Sequence, residues 1–164
     1  MRSEPTAEAV LRPLRSDSAR ATAGDMKGWL VRPIQSDGAI ALLRVWLGAM
    51  GIVHGYGKVF GGMEKFTGGV AKMGFPAPDL FAWSAGLTEL LGGALLIAGL
   101  GTRPIALLMA ATMAVAGFIR HADDPFKNKE LALTYLVLSI VLFLVGPGRY
   151  ALDTLIAPRR RTGA

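Results

Sequence analysis

Three basic side chains interrupt an apolar run that otherwise reads as a membrane helix: Arg44, His54 and Lys58, within Arg44-Val-Trp-Leu-Gly-Ala-Met-Gly-Ile-Val-His-Gly-Tyr-Gly-Lys58. At helical spacing Arg44, Gly48, Gly51, Gly55 and Lys58 share one stripe, and His54 lies beside it. A second apolar run holds a single carboxylate, Glu89, with Ala85 and Gly93 one turn to either side and Ser84, Thr88 and Gly92 in a parallel row. A third steps through Ala106, Ala110, Ala114 and Gly117 to His121, and Glu130 opens a fourth in which Thr134 and Tyr135 follow one turn below. Ionisable groups inside a bilayer are costly and tend to mark proton relays or ligand sites. A carboxylate and an imidazole, here Glu89 and His54, can take up protons as a bound quinol is oxidised, because quinol releases protons with its electrons. The same residues also fit a buried ion pair or hydrogen bond that only fixes helix packing. Two histidines and two carboxylates could ligate iron, zinc or copper, but no Glu-x-x-His or His-x-x-x-His spacing occurs, so no metal ligands are assigned.

The elements that position these groups are four apolar blocks, near 38–60, 82–100, 104–121 and 130–146, separated by segments rich in Gly, Pro and charge. With 52% hydrophobic and 18% charged residues and a mean hydropathy of +0.42, the chain departs from soluble composition. Each block approaches the roughly 20 residues that cross a hydrocarbon core of about 30 Å. Continuous apolar runs favour helices over a barrel, whose strands alternate. The expected fold is an all-α membrane protein, a four-transmembrane-helix bundle spanning 37–156 between a polar basic tail at 1–36 and a basic tail at 157–164. No cysteine is present, which excludes disulfides, thiolate metal sites and thiol exchange by this chain alone. The net charge of +6 does not indicate nucleic acid, since the basic residues concentrate at the two ends without interleaved aromatics.

Positive-inside bias assigns the orientation. Six Lys and Arg precede the first block and four follow the last, with Arg103 alone in the second connection, which places both termini in the cytoplasm of a bacterial inner membrane. The connections near 61–81 and 122–129 then lie outside. His54 falls about six residues below the outer end of its helix and Glu89 about eight, roughly 12 Å at 1.5 Å per residue. His121 and Glu130 are slightly shallower. A bundle can therefore gather His54, Glu89, His121 and Glu130 in the outer leaflet, one from each helix, with Lys58 and Tyr135 lining the same pocket. Arg44, near the cytoplasmic side, fits snorkelling, a lipid phosphate or a packing role within the bundle. His121 and Glu130 also fit solvated helix ends. Tyr56, Trp83 and Phe126 fit an aromatic belt. Glycine pairs such as Gly51/Gly55 and Gly57/Gly61 suit packing within one bundle or between two copies, which leaves a homo-oligomer open.

Several features together resemble the DoxX family of small bacterial membrane proteins. They are the Arg44 helix running into His54-Gly-Tyr-Gly-Lys58, Gly-Phe-Pro-Ala-Pro78, Glu89-Leu-Leu-Gly-Gly93, Gly99-Leu-Gly-Thr-Arg103, His121, Glu130 and Gly146-Pro-Gly148. The likeness extends over about 38–155. It implies a four-helix inner-membrane protein tied to respiratory redox work, related to DoxD-type subunits of thiosulfate:quinone oxidoreductases. The expectation is thus a redox-associated membrane protein in contact with the lipid bilayer and with quinone as the candidate cofactor. The alternatives are a non-catalytic scaffold that docks a soluble oxidoreductase and, third, a small-molecule carrier or metal-binding protein.

Overall fold

The computed structural model of the protein describes residues 36–156; the tails expected over 1–36 and 157–164 lie, Ser36 apart, outside the described residues. Four helices are long and apolar enough to cross a membrane. They are α1 (Ser36–Gly61), α3 (Pro78–Ala98), α4 (Thr102–Val115, prolonged to Arg120 by a π-helical turn) and α5 (Phe126–Val145). Two short helices complete the chain, α2 (Met63–Lys72) between the first two spans and α6 (Leu152–Ile156) after the last.

The helix boundaries follow from local chemistry. α3 starts at Pro78, earlier than hydropathy alone implies, because a proline in the first turn needs no amide partner and its ring presets φ. α5 likewise starts at Phe126, directly after Pro125, whose extended backbone delivers the chain into the helix. α3 ends where Gly99 turns left-handed (φ +72°). Leu100 N–H then donates to Leu95 O (2.9 Å) and Gly99 N–H to Leu96 O (3.1 Å), closing the helix with a Schellman pair. In the π turn at Ala116–Arg120, the His121 amide reaches back five residues to Ala116 O at 3.1 Å.

Most apolar side chains point outward. Leu42, Phe60 and Leu144 are each about two-thirds exposed, and only 17–33% of each span is buried inside the protein. In water such a surface would aggregate; in a bilayer it is the lipid-facing side. The inner side is narrow. Its core is Leu47, Leu96, Ala106, Met109, Met113, Tyr135 and Leu142.

α1 meets α3 backbone to backbone. A methyl group at Gly93 would sit 2.5 Å from Gly48 O and 3.0 Å from Ile52 N, and one at Gly51 would sit 2.9 Å from Glu89 O. A methyl at Gly55 would run into the Leu90 amide. The glycine stripe of α1 is therefore the contact face that lets two spans approach more closely than side chains allow, which is how helices associate where lipid removes the hydrophobic drive.

Of the roles open to Arg44, the structure shows packing within the bundle. Arg44 is 3% exposed, and its guanidinium donates to Pro147 O and Tyr150 O, at 2.6 Å each. Carbonyls in and just after the Gly146-Pro-Gly148 turn thus take both terminal nitrogens, while the buried Nε has no hydrogen-bond partner among the described residues. The same end is tied twice more. Asp37 Oδ1 accepts from the Arg149 amide (3.0 Å), and Asp153 accepts from the Gly101 and Thr102 amides (2.7 and 2.8 Å), capping α4 from the end of the chain. Burial works against the charge on Asp153, but the Thr102 and Gly101 amides, with Arg44 nearby, hold its carboxyl below the usual carboxylate range.

Candidate functional site

Lys58 and Glu89 form the polar centre of the bundle. Lys58 closes the last turn of α1 and Glu89 lies about three turns into α3. The ammonium donates to both carboxylate oxygens, at 2.5 and 2.6 Å. Lys58 is the seventh residue after Gly51 and so continues the glycine stripe onto α3. Gly86, one turn before Glu89, leaves room for the Val59 and Met63 side chains that flank the lysine stem. A methyl there would lie 3.9 Å from Lys58 Cβ and only 3.1 Å from Met63 Cε of α2.

The two partners are not buried alike. The Glu89 side chain is 2% exposed and that of Lys58 28%. On its open side the ammonium stands 4.8 Å from the centroid of the Phe66 ring, a cation–π contact supplied by α2. Beyond it lies a groove of about 370 Å³, bounded by Gly57, Gly61, Gly62, Lys65, Phe66 and Met73 among others. A carboxylate buried in a membrane span is thus neutralised by a cation that also faces open space. That arrangement can hold a proton, orient a polar ligand through the ammonium, and exclude water from the carboxylate.

The other residues singled out in the sequence occupy separate places. His54 is exposed on the neighbouring face of α1, with its ring edge-to-face against Tyr135 of α5 at 6.2 Å and 68°. Tyr135 itself is buried in the core. His121, just past the π turn, pairs through Nδ1 with Asp124 Oδ2 at 2.6 Å, and that hydrogen bond is the main cause holding the Asp124 carboxyl below its usual range. Glu130 is exposed on α5 and makes no ion pair among the described residues. Glu89 is joined to Lys58, and the two histidines have partners of their own. Among the described residues no three His, Asp or Glu side chains gather closely enough to hold a metal ion.

Phe66 lies in the segment 61–81, which hydropathy marks only as a connection, yet Phe66 and Val70 stand one turn apart and face inward in α2. A hydrophobic i, i+4 pair was the available signal.

The family model described as DoxX matches residues 39–122, just over half of the chain. The chain belongs to the DoxX family. Two relatives are also similar to the chain. An uncharacterized protein of Haemophilus influenzae is 36% identical over 121 residues, covering 70% of this chain and 87% of that protein. A Bacillus subtilis protein named "Putative oxidoreductase CatD" is 35% identical over 126 residues, covering 74% of this chain and 90% of its own length. No solved structure matches the chain. The part matched by the DoxX model contains Arg44, His54, Lys58, Glu89 and His121, whereas Glu130, Tyr135 and the Asp153 cap lie beyond it. This DoxX protein is a multi-pass membrane protein whose central polar contact falls within the family-defining segment.

Proposed function

We propose that this DoxX-family protein is a redox-associated subunit of the bacterial inner membrane, with cytoplasmic termini, that interacts with quinone at the Lys58–Glu89 pair. The observation that carries the reading is a carboxylate almost fully buried in a membrane span and held by an ammonium that opens onto a groove. The relative named as an oxidoreductase supports the redox class. The groove fits a ring-shaped ligand: its volume lies in the range of small-molecule sites, Phe66 and Met73 are apolar, and of its three cations Lys58, beside Lys65 and Arg120, is the one joined to the buried carboxylate. A bound quinone would supply the two-electron, two-proton couple, with the electrons passing to or from a soluble oxidoreductase partner.

The chain's own residues then divide the work. Lys58 gives two of its three N–H groups to Glu89 and keeps one to orient a ligand oxygen in the groove. Glu89 accepts and releases a proton at its carboxylate oxygens, and protonation weakens its hold on Lys58, so the proton load and the position of the ammonium are coupled. The close α1–α3 contact keeps water from the carboxylate.

Purified full-length protein tests the reading. Quinone extracted from the wild type and quantified per mole should be present, and Glu89→Gln should lose at least about tenfold of it while helical content is unchanged. Equal quinone in both proteins would sink the proposal. A second reading takes the pair as a clamp in a membrane docking subunit. What favours it is that Lys58 is already satisfied by Glu89 and Phe66. A stable soluble partner without bound quinone would support that alternative.

A further inference from the structure

The richest unassigned feature is a trough of about 710 Å³ beside the groove, between α2 and the π turn of α4. Lys65 and Lys72 stand two turns apart on one face of α2, and Arg120 closes the π turn opposite them. The ion pairs among the described residues are Lys58–Glu89 and His121–Asp124. Three cations therefore border one concavity, with no carboxylate of the described residues within ion-pairing distance, although Arg120 feels the charge of Asp124. Like charges held around a hollow repel each other and focus a positive potential into it.

The floor of the trough is glycine. Gly68 and Gly69 sit mid-helix in a helix of ten residues, where glycine is unfavourable. A methyl group at either would touch nothing within 4 Å, so close packing inside this chain does not explain them. What they do is leave backbone bare between the cations, so that a polyatomic anion can settle against the helix. The π turn supplies the third cation, and such turns recur at functional sites. The adjoining apolar residues, Phe118 and Ile119, are 63% and 48% exposed, which sets the trough at the rim of the lipid-facing surface.

We propose that this trough binds a phosphate oxyanion, carried by an anionic phospholipid headgroup or by soluble phosphate. Arg120 suits it through its planar, bidentate donors, and the two lysines act as point charges. The trough shares Lys65, Gly69, Met73 and Arg120 with the wall of the neighbouring groove, but neither Lys58 nor Glu89 lines it, so anion binding is read separately from quinone content.

The test uses full-length protein in neutral detergent and native mass spectrometry. The probes are phosphatidylglycerol, phosphatidylcholine and inorganic phosphate, applied to the wild type, to Lys65→Gln/Lys72→Gln/Arg120→Gln, and to Gly69→Leu, which fills the trough without altering charge. Retention of phosphatidylglycerol over phosphatidylcholine, weakened at least about tenfold in both variants, establishes the lipid source. Binding of inorganic phosphate with the same dependence, and no preference between the lipids, establishes soluble phosphate. Binding of both anionic probes unchanged in the triple variant, or in a folded Gly69→Leu protein, overturns the proposal, as does the absence of binding to the wild type. The substituted side chains are exposed and Gly69 faces open space, so circular dichroism should show the helical content of the wild type in both variants.

Discussion

Removing either member of the Lys58–Glu89 pair breaks the same hydrogen bonds, yet the two losses should differ in size. Lys58→Met strands a carboxylate that is 2% exposed and has no other hydrogen-bonding partner among the described residues. Breaking a buried pair from one side costs about 3–5 kcal/mol, most of it the uncompensated charge. Glu89→Gln leaves instead an ammonium that is 28% exposed, retains the Phe66 ring and can draw water from the groove. That loss should be about 1–2 kcal/mol, the size of a charge-assisted hydrogen bond reduced to a neutral one. The double variant decides the matter. In the Lys58→Met background, Glu89→Gln removes the stranded charge, so a substitution that destabilises the wild type should restore roughly 2 kcal/mol. Reversible unfolding in mixed detergent micelles at fixed composition, followed by near-UV circular dichroism, gives the four free energies. Simple additivity of the two losses, or a Glu89→Gln loss larger than that of Lys58→Met, would refute the unequal, mutually neutralised pair.

The α1–α3 contact and the α4 cap yield further expectations. Gly93→Ala places a methyl 2.5 Å from Gly48 O, so the helices must part by close to an ångström. The expected loss is about 1–3 kcal/mol, whereas Gly57→Ala, which meets nothing within 4 Å, should be neutral or gain up to about 1 kcal/mol. Equal effects in one unfolding assay would argue against backbone-to-backbone packing. Asp153 is held below the usual carboxylate range in the folded protein, so its contribution is fully present above an unfolded value of about 3.9 and is lost as pH falls through the folded value. Asp153→Asn should therefore cost about 0.5–2 kcal/mol at neutral pH. The gap to wild type should narrow as pH falls below the unfolded value and through the lower folded one; a gap independent of pH would remove the carboxylate from the cap.

Hydropathy alone made the four spans legible, because each block is long, continuous and bounded by Gly or Pro. The contact face of α1 was legible too: the stripe from Arg44 through Gly48, Gly51 and Gly55 is the buried side of that helix. The partners of its charged ends were harder to see. Lys58 sits on the stripe and His54 one step off it, so periodicity separates the residue that reaches α3 from the one that rests against Tyr135, but only once the stripe is known to face Glu89. The acceptors of Arg44 lie 103 and 106 residues away, in backbone carbonyls that carry no side-chain signature. α2 was hidden by Gly68 and Gly69, which depress helix propensity in a segment that packing against α3 makes helical.

The long reach of Arg44 also sets an order of events during synthesis. The first span enters the membrane with a guanidinium whose two acceptors have not yet been made. At roughly 5–20 residues per second, the ribosome needs on the order of 5–20 s to deliver them. In that interval the side chain must borrow water or headgroup oxygen at the boundary. Only when the turn after α5 arrives do Pro147 and Tyr150 take it over and Asp153 seal the start of α4. A nascent chain stopped after Val145 would contain every span and still lack its fastening. The bundle is assembled from its beginning but locked from its end.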